Sequence, residues 1–253
     1  MSEFPNPVTE NANIAEELEN QVKDLVDKMN LHLAKDETQE AFDLMQKMKK
    51  ILKVERKSEY DENTLEQIED FKKFYKEEFN IELDVENIKI PEKQEGFNWI
   101  IMIPKGLEIN RIWEKVKERM LIYENIDKPD MLDVESIRTA KDSSYAIRVR
   151  DRIEADEEHQ NKSANQIEQE KINPITLEER LILELFYGWK NIGKSAVVER
   201  YLDIINWTLC AGSRHPDGGV PRVCWDFDNR KLDVRFCRSA HADHSLRCRE
   251  VIS

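Results

Sequence analysis

Apolar residues in the first third of the chain recur at helical spacing. Ile14, Leu18, Val22, Leu25 and Met29 form one stripe, and Ala41, Leu44, Met45, Met48, Ile51 and Leu52 form a second after a polar break near Asp36. Together they predict an antiparallel helical hairpin. Asn13 followed by Glu16 has capping-box spacing at its start. A third stripe, Leu65, Ile68, Phe71, Tyr75 and Phe79, predicts another helix from Asn63. These faces can bury themselves internally or against a second copy of the chain, so a homo-oligomer built through the N-terminal helices is an open expectation.

The period then changes. Ile81, Leu83 and Val85 alternate, and Phe97 to Ile103 is a compact apolar run ending at Pro104-Lys105-Gly106. Both predict strands. Leu107, Ile109, Ile112, Trp113, Val116 and Met120 fit a helix, while Tyr145, Ile147 and Val149 alternate against Arg148 and Arg150. Residues 80–152 therefore predict a small α+β unit after a helical region over 1–79. The stretch from Asp151 to Lys171 is poor in large apolar side chains and rich in Glu, Gln and Asn, which predicts a solvated helix or linker, placed as a polar linker at 153–173. The C-terminal module is placed at 174–253.

Within that module Thr176 and Glu179 have capping-box spacing, and Leu177, Leu181, Ile182, Leu185 and Phe186 make the core face of a helix ending near Gly188. Val197, Val198, Tyr201, Leu202 and Ile205 predict one more helix. Beyond Asn206 the pattern becomes strand-like. Val223 and Trp225 alternate with Arg222, Cys224 and Asp226; after a turn at Asp228-Asn229-Arg230, Leu232, Val234 and Phe236 alternate with Asp233, Arg235 and Cys237. This predicts an antiparallel β-hairpin with one apolar face and one face of Arg, Cys and Asp. A closing strand is expected over Leu246 to Ile252. The fold class is α+β.

Composition sharpens the boundary. The first 209 residues contain 22 Lys and 32 Glu, whereas the last 44 contain only Lys231 and Glu250, yet hold all four cysteines and seven arginines. Ordinary solvated surfaces favour Lys and Glu, so this tail obeys another rule. Net charge is −13, which repels nucleic acid from the body of the chain. The tail arginines, Arg214, Arg222, Arg230, Arg235, Arg238, Arg247 and Arg249, are interleaved with Asp226, Asp228, Asp233 and Asp243, which weakens a phosphate-binding footprint. A nucleic-acid module would depend on Arg222 and Arg235. No stretch approaches the ~20 apolar residues of a membrane span, and Met1 to Asn11 is polar, so a cytoplasmic protein with reduced thiols is expected.

Three chemical alternatives are written in the C-terminal module. Gly188-Trp-Lys-Asn-Ile-Gly193-Lys194-Ser195 matches the phosphate-loop string, in which amides and a Lys hold phosphates and a Ser holds magnesium. The helical spacing before it, where a strand belongs, and the bulk of Trp189 and Ile192 weigh against that use. Cys210, Cys224, Cys237 and Cys248 with His215, His241 and His244 raise zinc, but no Cys-x-x-Cys occurs. A thiol nucleophile would need Cys224 or Cys237 beside His241 or His244. These together define the competing function, a zinc- or nucleotide-dependent intracellular enzyme or regulator. The preferred expectation carries no metal, no cofactor and no catalytic residue.

Asn206-Trp-Thr-Leu-Cys-Ala-Gly-Ser-Arg214, Val220-Pro221, Trp225, Leu232, Val234 and the ending Leu246-Arg247-x-Arg249-Glu-Val-Ile-Ser253 resemble the C-terminus of variable proteins of diversity-generating retroelements, of the kind found in candidate-phyla bacteria. The stretches Phe97 to Gly106 and Ser144 to Glu158 resemble the body of such chains. In that family a reverse transcriptase miscopies template adenines and overwrites the 3′ end of the target gene. Asn codons then scatter to many residues, but never to Lys, Glu, Gln, Met or Trp. The resemblance implies a non-enzymatic ligand-binding protein with a C-type-lectin-like C-terminal module and a protein or other macromolecule as ligand. It places the diversified surface on Arg222, Cys224, Asp226, Asn229, Arg230, Asp233, Arg235, Cys237, Arg238, His241, Asp243, Ser245 and Cys248. Val223, Trp225, Leu232, Val234 and Phe236 would be the fixed scaffold.

Overall fold

A computed structural model of the chain describes residues 20–31, 39–41, 43–45, 47–48, 60–123, 132–193 and 200–253. The chain separates into two compact units, Met1–Leu65 and Glu66–Ser253. In the first, residues 20–31 are helical, as are the described residues between 39 and 48. Val22, Leu25 and Met29 are half-buried while Lys23, Asp24 and Lys28 are exposed, as an amphipathic stripe requires. The turn of the expected hairpin and the Asn13/Glu16 capping box lie outside the described residues.

The longer unit is α+β. Its helices are α1 (Glu62–Phe79, entering from the first unit), α2 (Ile109–Arg119), α3 (Ala164–Gln169) and α4 (Leu177–Lys190). Its strands are β1 (Trp99–Ile103), β2 (Glu135–Ser136), β3 (Tyr145–Val149), β4 (Trp207–Leu209), β5 (Ser213–Arg214), β6 (Val220–Asp226), β7 (Lys231–Cys237), β8 (Leu246–Cys248) and β9 (Val251–Ile252). They form three sheets among the described residues, ordered β1-β3-β9, β2-β5 and β7-β6-β4-β8. All pairings are antiparallel except β4 with β8.

Helix α4 lies at the centre, because almost every residue from Leu177 to Phe186 is buried. It starts at a reciprocal capping box: the Glu179 amide donates to Thr176 Oγ1 at 3.2 Å, and the Thr176 amide donates to Glu179 Oε2 at 2.8 Å. Burying Leu181, Ile182, Leu183 and Leu185 stabilises it by about 2 kcal/mol each. Its far end meets α1 through aromatic rings, with Phe186 stacked on Phe71 at 3.8 Å and edge-on to Phe74 at 5.5 Å. The Tyr75 hydroxyl donates to the Met102 carbonyl at 2.5 Å, tying α1 to β1.

Residues 153–173 are not a linker. They form a short 3₁₀ turn (Glu157–His159) and then α3, which has its own capping box between Ser163 and Gln166. Of the few apolar residues, Ala155, Ala164 and Ile167 are buried, the last two packing on Leu209, Ala211, Val220, Leu246 and Cys248, while Ile153 stays exposed. Two of the acidic side chains that gave the segment its solvated look serve as internal acceptors, while Glu157, Glu158, Glu168 and Glu170 are exposed. Glu154 receives the amides of Ile204, Ile205 and Asn206 and the Asn206 side chain at 3.0–3.1 Å. Asp156 receives the Glu250 amide at 2.8 Å and Arg150 at 2.7 Å. Strand β9 also pairs with β3, so the middle of the chain and its tail share a sheet.

Three other expectations are corrected. Residues 81–85 form no strand: Asn80, at φ +50°, ends α1 in a left-handed turn and the Ile81 amide returns to Tyr75 O at 3.0 Å, leaving Leu83 buried in irregular chain. Residues 200–205 form no helix, because Asp203 takes φ +53° and sends its carboxylate into the core. Val197 and Val198 lie outside the described residues. The closing strand is two strands in different sheets, divided at Arg249 and Glu250, where the Arg249 side chain dives inward.

Candidate functional site

The β6–β7 hairpin pairs Arg222 with Arg235, Cys224 with Asp233, Asp226 with Lys231 and Val220 with Cys237 on one side. The other side carries Val223, Trp225, Leu232 and Val234, all buried, with Pro221 and half-buried Phe236. Tyr201 stacks on Trp225 with ring centres 3.4 Å apart. The predicted alternation and the predicted apolar face are therefore present. Leu209 of β4 lies opposite Arg222, which puts Leu209 and Trp207 on the polar side as well.

Half of that polar side is covered. Helix α3 closes over Leu209, Val220, Leu246 and Cys248, with Cys237 and Trp207 at the margin of the packing. The remaining half is framed by two aromatic rings. Arg222 lies over Trp207 at 4.4 Å from its centre, and Arg235 lies 5.8 Å from Trp207 and 5.4 Å from Tyr123. Lys231 stands over Tyr123 at 5.4 Å. Arg235 also grips Asp233 with Nε and Nη2 at 2.9 and 2.7 Å. The Tyr123 hydroxyl donates to Asp226, which also accepts the Asn229 amide and side chain at 3.0 Å.

This geometry sets the charges. The Tyr123 hydrogen bond, supported by the Asn229 amide, holds the Asp226 carboxyl down to about 2, and the same bond pushes Tyr123 up to about 12. The Asp226 contribution to stability is thus present above its ordinary value of 3.8 and lost as pH falls through about 2. That of Tyr123 is present below 10.0 and lost as pH rises through about 12. In Tyr123→Phe, carboxyl-detected NMR should show the Asp226 midpoint raised toward the ordinary value, the Asn229 bonds holding it short of a full return. A midpoint that stays low would show that Tyr123 does not hold it.

The thirteen residues expected on the variable surface separate into two groups. Arg222, Asp226, Asn229, Arg230, Arg235, Arg238, His241, Asp243 and Ser245 are exposed or half-buried on the open half and its loop. Asp243 Oδ1 accepts the Ser245 amide and hydroxyl at 2.7 and 2.6 Å, shaping that loop. Cys224, Asp233 and Cys248 are buried, with 8%, 2% and 1% exposure, and this corrects their placement on a solvent-facing surface. Cys248 lies under α3, while Cys224 and Asp233 form the floor of the open half. Cys237 is half-buried at the edge of the α3 packing. Alternation alone could not show this, because period-two spacing separates the two sides of a strand without telling which side α3 covers. Tyr123 and Trp207 were missed as site residues. Nothing in the sequence near Tyr123 ties it to the hairpin over 100 positions away.

The chemical alternatives meet their geometry here. Gly188, Trp189 and Lys190 are helical, in the last turn of α4, where a phosphate loop would need open amides; Lys194 and Ser195 lie outside the described residues. Among the described residues no group of three or more His, Cys, Asp and Glu could hold a metal ion. All four cysteines are free thiols, and burial pushes each of them up, away from the thiolate a nucleophile requires.

Arg249, grouped in sequence with the surface arginines, is buried. Its Nη2 donates to Asp203 Oδ1 at 2.8 Å, and Arg180 reaches Asp203 Oδ2 and Glu184 at 2.8 and 2.6 Å, with all four side chains fully buried. Thr208 donates its hydroxyl to Asp203 as well. Burial alone would raise the Asp203 carboxyl, but Arg249, then Arg180, and the Thr208 hydroxyl outweigh it and hold it below the usual range. This cluster joins α4, the turn before β4, β4 and the end of β8 beneath the hairpin.

No helix among the described residues is long and apolar enough to cross a membrane. No protein-family model, curated protein or solved structure matches this chain.

Proposed function

We propose that this chain is a non-enzymatic ligand-binding protein of the cytoplasm, whose C-terminal surface is diversified by retroelement-driven adenine mutagenesis on a C-type-lectin-like module. The observation that carries the reading is the division within one hairpin. The buried side is Val, Trp, Leu and Phe, and the open side, Lys231 apart, carries Arg, Cys and Asp, residue types reachable from altered Asn codons. Period-two geometry allows such a surface to change while the core beneath it stays fixed. The ligand is a protein or other macromolecule, met by the open half with Arg222, Asp226, Asn229, Arg230 and Arg235 and by the loop with Arg238, His241 and Asp243. A second copy of the chain, joined through the N-terminal helices, would add avidity.

The reading predicts unequal tolerance. Randomising Arg222, Arg238 and His241 should leave stability within about 0.5 kcal/mol in most variants, as for ordinary surface positions, whereas β-branched residues at Arg230, whose φ is +53°, should cost more. Val223→Ala, Leu232→Ala and Val234→Ala should each lose about 2–4 kcal/mol. Urea melts of a small library measure both sets. Equal sensitivity on the two sides would remove the hairpin as a carrier of diversity.

A further inference from the structure

The open half of the hairpin contains two arginines directly opposite each other, Arg222 and Arg235. Like charges in that position repel unless something neutralises them. Arg235 is neutralised by Asp233, which its guanidinium grips in bidentate fashion. Arg222 has no hydrogen-bond or ion-pair partner among the described residues, and its Nε is shielded from solvent without an acceptor. Its guanidinium carbon lies over the Trp207 ring, 4.4 Å from the indole centre.

The carboxylates of the face are all engaged elsewhere. Asp226 is held by Tyr123 and Asn229, Asp233 by Arg235, and Asp243 by Ser245. In a chain with 52 acidic residues, a half-buried arginine is thus left with no carboxylate in hydrogen-bond or ion-pair contact among the described residues, Asp243 feeling its charge without touching it. We propose that Arg222, fixed by Trp207 and flanked by Arg235, is the receptor for a carboxylate side chain of a protein ligand. The inference rests on the ligand-binding reading and names the chemistry of its centre.

Charge and shape select a protein over a nucleic acid. Both guanidiniums lie over Trp207, so its ring is not a free platform for a base. Asp226, Asp233 and Asp243 stand around the arginine and would repel a run of phosphates, as would the net charge of −13. A single Asp or Glu meets one guanidinium fork without that conflict. Phe227, 56% exposed at the hairpin tip beside Asp226, offers the apolar contact that a neighbouring hydrophobic residue of the ligand would use.

A random dodecapeptide phage library, panned on the purified full-length chain, tests this directly. Enriched peptides should carry Asp or Glu next to an apolar residue, and a synthetic consensus peptide should bind Arg222→Gln about tenfold or more weakly than wild type. Arg222→Lys, which keeps the charge and loses the fork, should fall between them. Thermal melts of both variants confirm the fold. Peptides without acidic residues that still lose binding in Trp207→Ala or Arg230→Ala would overturn the carboxylate inference and leave the ligand-binding reading standing. Peptides indifferent to every change on this face, or no enriched peptide, would overturn both. A single-stranded oligonucleotide whose binding depends on Arg222 would replace the protein ligand by nucleic acid.

Discussion

Asp203→Ala will destabilise the protein by about 3–5 kcal/mol, the largest loss expected from any single polar substitution. Two arginines, Arg180 and Arg249, depend on this one carboxylate, and all three side chains are fully buried. Removing it leaves Arg249 an uncompensated cation and Arg180 with Glu184 alone. Thr208 loses its acceptor, and so does the Ala155 amide, which donates to Asp203 at 2.7 Å. Because the Asp203 carboxyl is held low, its contribution is present above the ordinary value of 3.8 and disappears as pH falls below it. The wild type should therefore lose part of its advantage over the variant in acid. Equilibrium urea unfolding at neutral and acid pH gives both numbers, and a neutral-pH loss under 1 kcal/mol would show that the cluster does not hold the module together.

Arg138→Ala should follow with a loss of about 3 kcal/mol. Its guanidinium makes two bonds of 2.8 Å to the fully buried Glu179 and one each of 2.6 Å to Asn173 Oδ1 and the Pro174 carbonyl. It thus clamps the start of α4 to the segment that follows α3. The loss is smaller than at Asp203 because Glu179 retains the Tyr145 hydroxyl at 3.0 Å and the Thr176 amide. Hydrogen exchange should rise first at Leu177 to Leu181. Protection there equal to wild type would mean that the capping box alone secures the helix start.

Where a pattern was local, it was legible. The stripe of α1, the capping box of α4, the strands β1 and β3 and the alternation of β6 and β7 all follow from spacing within one element. Where the outcome depended on a distant partner, it was not. Arg180, Glu184, Asp203 and Arg249 look like surface residues in the sequence; their burial follows only from meeting across separations of up to 46 positions. The segment 153–173 misled for the same reason, since an acidic run reads as solvated unless the amides that its carboxylates cap are known. Within the candidate site, alternation identified Arg222, Asp226 and Arg235 as facing away from the core side. It could not foresee α3 closing over Cys248, or Tyr123 arriving above Asp226.

The diversified surface is the central claim, and the most direct test is to sequence this gene's locus from many individual cells of its source population, reading codons 206–253 and the surrounding few kilobases. The account predicts a nearby imperfect repeat differing at adenines, a reverse transcriptase gene, and variation concentrated at Arg222, Asp226, Asn229, Arg230, Arg235, Arg238, His241 and Asp243. It further predicts narrow variation at the buried Cys224, Asp233 and Cys248, and none at Val223, Trp225, Leu232 and Val234. An invariant tail with no repeat beside it would contradict the account.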